Sequence, residues 1–178
     1  MIILGVDPGT LLTGYGLISF DSNEIIPVTA GVIKIPASKE MAPRLKIIYA
    51  GLDELIKRYK PDEFAIETAF YGKNVQSAMK IGYARGVSLL AAVNNNIPAS
   101  EYSPREIKKS VTGNGAASKE QVQYMIKKLL AIRKTKMKFD ESDALAVAIC
   151  HAFKRNSKVF KSKSWKEFAA ANPDKIIS

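Results

Sequence analysis

Four carboxylates stand where they could share one catalytic site. Asp7 follows a short apolar run, residues 2–6, and precedes Pro8-Gly9, so it reads as the end of a buried strand where a turn begins. Glu67 holds the same place after Phe64-Ala65-Ile66. Asp140 and Asp143 are three apart at the expected start of a helix and therefore share one face. The six apolar residues 144–149 that follow bury this helix and can bring its first turn against the sheet. In open α/β sheets the carboxyl ends of the strands form the crevice in which ligands bind.

Four carboxylates converging there would repel and raise one another's pKa, a cost that a hard divalent cation removes. Oxygen-only ligands select Mg²⁺, with Mn²⁺ able to substitute, over zinc. Two ions about 4 Å apart can activate a water on one side and stabilise a departing 3′-oxygen on the other. No histidine or cysteine is needed, and His151, two turns past Asp143, reads as an ordinary helix residue. Each acid also has a purely structural explanation. Asp140 could cap the helix, Asp143 could answer its dipole, Asp7 could serve the turn and Glu67 could be a surface acid.

The elements that would position these groups alternate strand and helix. Residues 13–20 and 25–35 are rich in β-branched and aromatic side chains around Asp21-Ser22-Asn23, which predicts a hairpin. Residues 41–59 carry apolar positions at helical spacing and end at Pro61-Asp62. Residues 74–93 predict a long helix, apolar over much of its circumference, whose Gly82, Ala84 and Gly86 would let another backbone approach. A strand over 97–102 leads to Ser103-Pro104, a helix start. Ser118 with Gln121 forms a capping box for the next helix, after the loop 112–115. The last helix begins near Asp140 and runs to Phe153. The fold class is α/β, a mixed central β-sheet flanked by helices, in one domain over 1–155. Residues 156–178 form a basic tail, expected to be loosely ordered.

The charge balance points to a polyanion. The 178-residue chain has 27 Lys and Arg against 17 Asp and Glu, a net charge of +10. Within residues 127–166 twelve basic residues face three acids, Asp140, Glu141 and Asp143. Like charge in blocks favours nucleic acid as partner, against the plainer reading of a basic soluble surface. With 47% hydrophobic residues and no long apolar run, a globular chain with no membrane partner is expected. One cysteine, Cys150, and no signal-peptide pattern at the start fit a cytoplasmic protein.

Several segments in order carry a family resemblance. Ile3-Leu4-Gly5-Val6-Asp7-Pro8-Gly9-Thr10 with Thr13-Gly14-Tyr15-Gly16 resembles the opening of the RuvC-type Holliday junction resolvases. Similarity continues through residues 44–51, Phe64-Ala65-Ile66-Glu67, Lys73-Asn74, Ala84-Arg85-Gly86-Val87, Ala91-Ala92-Val93-Asn94, residues 118–123 and Asp143-Ala144-Leu145-Ala146. It spans roughly 1–153 and leaves the tail uncovered. The resemblance implies an RNase H-like fold, a homodimer, and Mg²⁺-dependent paired nicks across four-way junction DNA in recombination and repair. It implies Asp7, Glu67, Asp140 and Asp143 as catalytic, metal-holding acids. It further implies Phe70 as an aromatic reaching the junction centre, Tyr71 and Lys73 beside it on a DNA-facing segment, and Lys108 and Lys119 near the scissile phosphate. The helix of Gly82, Ala84 and Gly86 is implied at the dimer interface, and a branch-migration motor complex as a partner.

Other readings share these residues. Gly5-Val6-Asp7-Pro8-Gly9-Thr10 also resembles the first phosphate loop of the actin and sugar-kinase superfamily, but those proteins enclose ATP between two such domains and this length supplies one. A non-catalytic junction binder would be expected to lack a metal-binding acid, and none of the four is missing. A related nuclease cutting another branched DNA or an RNA–DNA hybrid would use the same metal chemistry.

Overall fold

A computed structural model describes residues 1–21, 24–68, 75–133 and 137–161, the last six of these by backbone alone. Five strands form one sheet. β1 (Ile2–Asp7), β2 (Leu12–Asp21) and β3 (Glu24–Lys34) make an antiparallel meander. β4 (Glu63–Glu67) and β5 (Ala99–Tyr102) join β1 in parallel, giving the order β3-β2-β1-β4-β5. The mixed sheet expected from the sequence is therefore observed.

The parallel half needs crossovers, and helices α1 (Met41–Tyr59) and α2 (Val75–Asn94) are placed to provide them. Both pack on one face, where Leu4, Val6, Phe64 and Ile66 meet Ile48, Leu52 and Ile56 of α1 and Ala84, Ala91 and Ala92 of α2. The other face takes α3 (Pro104–Thr112), α4 (Lys119–Leu129) and α5 (Phe139–Lys161), through Ile3, Ile18 and Ala65. α3 and α4 both open with complete capping boxes, Ser103 with Glu106 and Ser118 with Gln121. The helix expected to end at Phe153 runs on to Lys161, so the tail begins as a continuation of α5. Among the described residues, no helix is long and apolar enough to cross a membrane.

α5 lies unusually close to the sheet because glycines floor its path. Gly5 pairs with Gly16 across β1 and β2, and Gly14 pairs with Asp7. A Cβ added at Gly5 would stand 2.3 Å from the carbonyl oxygen of Ala144 and 2.6 Å from the amide nitrogen of Ala148. One added at Gly14 would stand 2.1 Å from the carbonyl oxygen of Asp140. These obstacles are backbone, so only movement of the helix could relieve them. Gly5→Ala is therefore expected to destabilise the fold by roughly 1–3 kcal/mol, the usual cost of overpacking. The thermal midpoint of the purified variant measures this, and an unchanged midpoint would mean that α5 is free to lift.

Candidate active site

Strand periodicity aims the first two acids. Side chains alternate across a sheet, so Ile3, Gly5 and Asp7 share the α5 face, as do Glu63, Ala65 and Glu67. Val6 pairs with Ile66 in parallel register, and the next step along each strand brings Asp7 beside Glu67. The glycine floor brings the first turn of α5 down to them with Asp140 and Asp143.

Asp7, Glu67 and Asp143 line one cavity of about 200 Å³ together with Lys108, Lys119, Pro104, Ile107, Val122 and Ala146. Lys108 comes from α3, and Lys119 from the first turn of α4. Lys119 reaches across to Asp143, Nζ to Oδ2 3.1 Å. Asp140 stands at the edge. It is absent from the cavity lining, yet its charge acts on Asp7, Asp143 and Lys119.

The electrostatics show an excess of negative charge in partly dry surroundings. Burial first, then Asp143 and Asp140, push the Asp7 carboxyl up to about 7. Burial first, then Asp7 and Asp143, push Glu67 up to about 8. Asp143 is also raised, by burial, although its hydrogen bond to Lys119 pulls the other way. Burial works to lower the Lys119 pKa, but the Asp143 hydrogen bond and the charges of Asp143, Asp7 and Asp140 leave it raised. Two ammoniums, Lys119 in direct contact with Asp143 and Lys108 acting on Glu67 and Asp143 through its charge, thus answer a cluster of four acids. Among the described residues, no three such side chains are gathered closely enough to hold a metal. An all-oxygen donor set with surplus negative charge nevertheless fits a hard divalent cation.

The matching family model is described as crossover junction endodeoxyribonuclease RuvC and covers residues 3–151. The chain belongs to the RuvC family. A crossover junction endodeoxyribonuclease RuvC of Chloroherpeton thalassium is 45% identical over 185 residues, covering 99% of this chain and 100% of that protein. A solved structure of Thermus thermophilus RuvC in complex with Holliday junction substrate is 29% identical with a TM-score of 0.83, covering 89% of this chain and 96% of that one. The yeast mitochondrial Holliday junction resolvase, at 12% identity and a TM-score of 0.62 over 91% of this chain and 86% of that one, shares the fold. The architecture is the RNase H-like one expected from the resemblance. Family membership over nearly the whole chain removes the reason to prefer the actin and sugar-kinase reading.

Of the expected site residues, Asp7, Glu67, Asp143, Lys108 and Lys119 share the cavity and Asp140 flanks it. Phe70, Tyr71 and Lys73 lie outside the described residues, in the segment that joins β4 to α2. His151, read as an ordinary helix residue, is instead a buried member of a polar cluster. Its Nδ1 lies 2.7 Å from the Tyr102 hydroxyl, and its Nε2 meets the Glu63 carboxylate.

Proposed function

We propose that this protein is a Holliday junction resolvase, a structure-selective endonuclease that hydrolyses phosphodiester bonds at four-way DNA junctions in recombination and repair. The observation that carries this reading is the cavity where Asp7, Glu67 and Asp143 meet Lys108 and Lys119 at the carboxyl edge of β1 and β4, in a chain of the RuvC family. Asp7, Glu67, Asp140 and Asp143 are the acids that would hold divalent cations, Mg²⁺ with Mn²⁺ as a substitute, two per site. Bound there, the ions supply Lewis acidity and a water of lowered pKa. Lys108 and Lys119 draw the scissile phosphate into the cavity and neutralise its oxygens. Lys119 can exchange its contact with Asp143 for the arriving phosphate. Water then adds at phosphorus and the bond to the 3′-oxygen breaks. Phe70, Tyr71 and Lys73 follow Glu67 within six residues, which supports a role for them on DNA next to the cut.

The protein acts as a homodimer through α2. Val75, Met79, Tyr83, Leu90 and Val93 are exposed at 71, 54, 48, 50 and 62%, and their spacing puts them along one stripe. Beside them, a Cβ added at Gly82 or Gly86 would meet nothing within 4 Å, whereas Ala84 is buried inside its own subunit. A second copy suits this face because a twofold pair of sites matches the twofold symmetry of paired cuts. Leu90→Glu is expected to weaken the dimer by roughly 3–5 kcal/mol, since it leaves an unpaired charge in a dry interface. Light scattering at micromolar protein should then show monomer; an intact dimer would move the interface elsewhere. A branch-migration motor complex as a further partner rests on the family resemblance alone.

The deciding experiment compares cleavage of a four-way junction, linear duplex and RNA–DNA hybrid with Mg²⁺ present. Paired nicks in the junction alone support resolution. Preferential cutting of the hybrid would replace it with a ribonuclease reading.

A further inference from the structure

A second cluster of ionisable side chains lies on the same elements that carry the site, at the start of β4 and midway along α5. His151 is 4% exposed and Glu63 7%. The two ring nitrogens of His151 engage Tyr102 and Glu63, and Glu63 also pairs with Arg155. Alternation puts Glu63 on the same face of β4 as Glu67, four residues and about 13 Å away along the strand. His151 follows Asp143 by eight residues, about 12 Å along the helix axis. The two spans match. The Glu63–His151 contact therefore closes one end of a frame of which the carboxylate cavity is the other.

Tyr102 ties in the third side. It ends β5 in register with Glu67, and its carbonyl accepts a 2.8 Å hydrogen bond from the Thr68 amide. The next residue, Ser103, caps α3, which carries Lys108. Apolar contact between α5 and the sheet is non-directional and would tolerate a small slide along the helix axis. Hydrogen bonds joining one imidazole to two strands would not.

We propose that Glu63, His151 and Tyr102 form a positioning clasp that fixes the axial register of α5 on β4 and β5, and so the placement of Asp140 and Asp143 relative to Glu67 and Lys108. None of the three lines the cavity, so they act through other residues. The inference rests on reading that cavity as the cleavage centre. A buried polar cluster of this kind contributes little net stability compared with apolar residues of similar volume, and its effect lies in specifying geometry. An error of about 1 Å at a reacting centre can slow chemistry on the order of a hundredfold.

The test uses Tyr102→Phe, His151→Leu and His151→Gln in the full chain. Thermal midpoint, junction affinity and single-turnover cleavage are measured on each. Tyr102→Phe deletes one hydroxyl, and His151→Leu replaces the ring by an apolar side chain. The expected result is folded protein with junction affinity unchanged and cleavage slowed about tenfold to a hundredfold, with His151→Gln recovering part of the loss seen with leucine. Folded variants that cut at the wild-type rate overturn the clasp. So does a loss of affinity in step with rate, which marks a general structural role. If His151→Leu fails to fold, Tyr102→Phe decides by the same criteria. Wild-type protein that leaves four-way junctions uncut would instead overturn the functional reading, and the clasp with it.

Discussion

Replacing Asp7 by asparagine is expected to slow single-turnover junction cleavage by at least about a hundredfold, close to 3 kcal/mol of transition-state stabilisation, while junction affinity holds. The two quantities separate because different residues carry them. Asp7 is half-buried in the cavity lining beside Glu67, and in the proposed mechanism its carboxylate would act on DNA only through ions held there. In the same proposal affinity comes from basic side chains on phosphate, which asparagine leaves in place. The amide is nearly isosteric and removes a charge that burial, Asp143 and Asp140 already oppose, so the metal-free variant should fold at least as well as wild type. Glu67→Gln and Asp143→Asn belong to the same class, as does Asp140→Asn, whose carboxylate acts on the cluster from its edge. Any one of these variants cutting near the wild-type rate would remove that acid from the mechanism. A parallel fall in affinity would mean that the carboxylates shape the DNA-binding surface.

The parts of this arrangement that could be read beforehand are those governed by local rules. An apolar run ending in Asp-Pro-Gly gave β1 with Asp7 at its end, and Phe64-Ala65-Ile66 gave β4 with Glu67 at its end. Ser118 and Gln121 predicted the start of α4 and hence the place of Lys119. Side-chain partners separated by many residues were not legible. The contact of Glu63 with His151 spans 88 positions and depends on how far α5 slides along the sheet. One signal was available: alternation puts Glu63 and Glu67 on the same face, so an acid there had to find a buried partner. The small residues of α2 form one set in the sequence, but helical phase separates them, turning Ala84 to the core and Gly82 and Gly86 outward. β5 begins two residues later than its apolar pattern predicts, since Ile97-Pro98 imitates a strand start.

Metal-free protein should lose stability as pH rises from about 4 to about 8, and a divalent cation should restore it most at the upper end. Asp7 and Glu67 titrate in the folded protein at about 7 and about 8, against ordinary values of 3.8 and 4.5. Between those limits the folded state keeps protons that the unfolded chain releases, so raising the pH favours unfolding. The stability these groups permit is complete below pH 4 and is lost as pH climbs through 7 and 8. Glu106 works in the opposite sense and in another window. Hydrogen bonds from Lys154 and Ser103 hold it near 2, so its contribution is present above 4.5 and disappears only as pH falls towards 2. A series of thermal midpoints measured with chelator across pH 5 to 8 therefore isolates the effect of Asp7 and Glu67, because the Glu106 window lies below it. Combining Asp7→Asn with Glu67→Gln should remove most of the slope, because the two most strongly raised titrations are gone and among these acids only that of Asp143 remains raised. Adding Mg²⁺ to wild-type protein should raise the midpoint more at pH 8 than at pH 5, where protons compete for the same oxygens. If the double variant keeps the wild-type slope, these two carboxyls are not the groups that titrate, and if Mg²⁺ raises the midpoint equally at both ends, they do not share a cation.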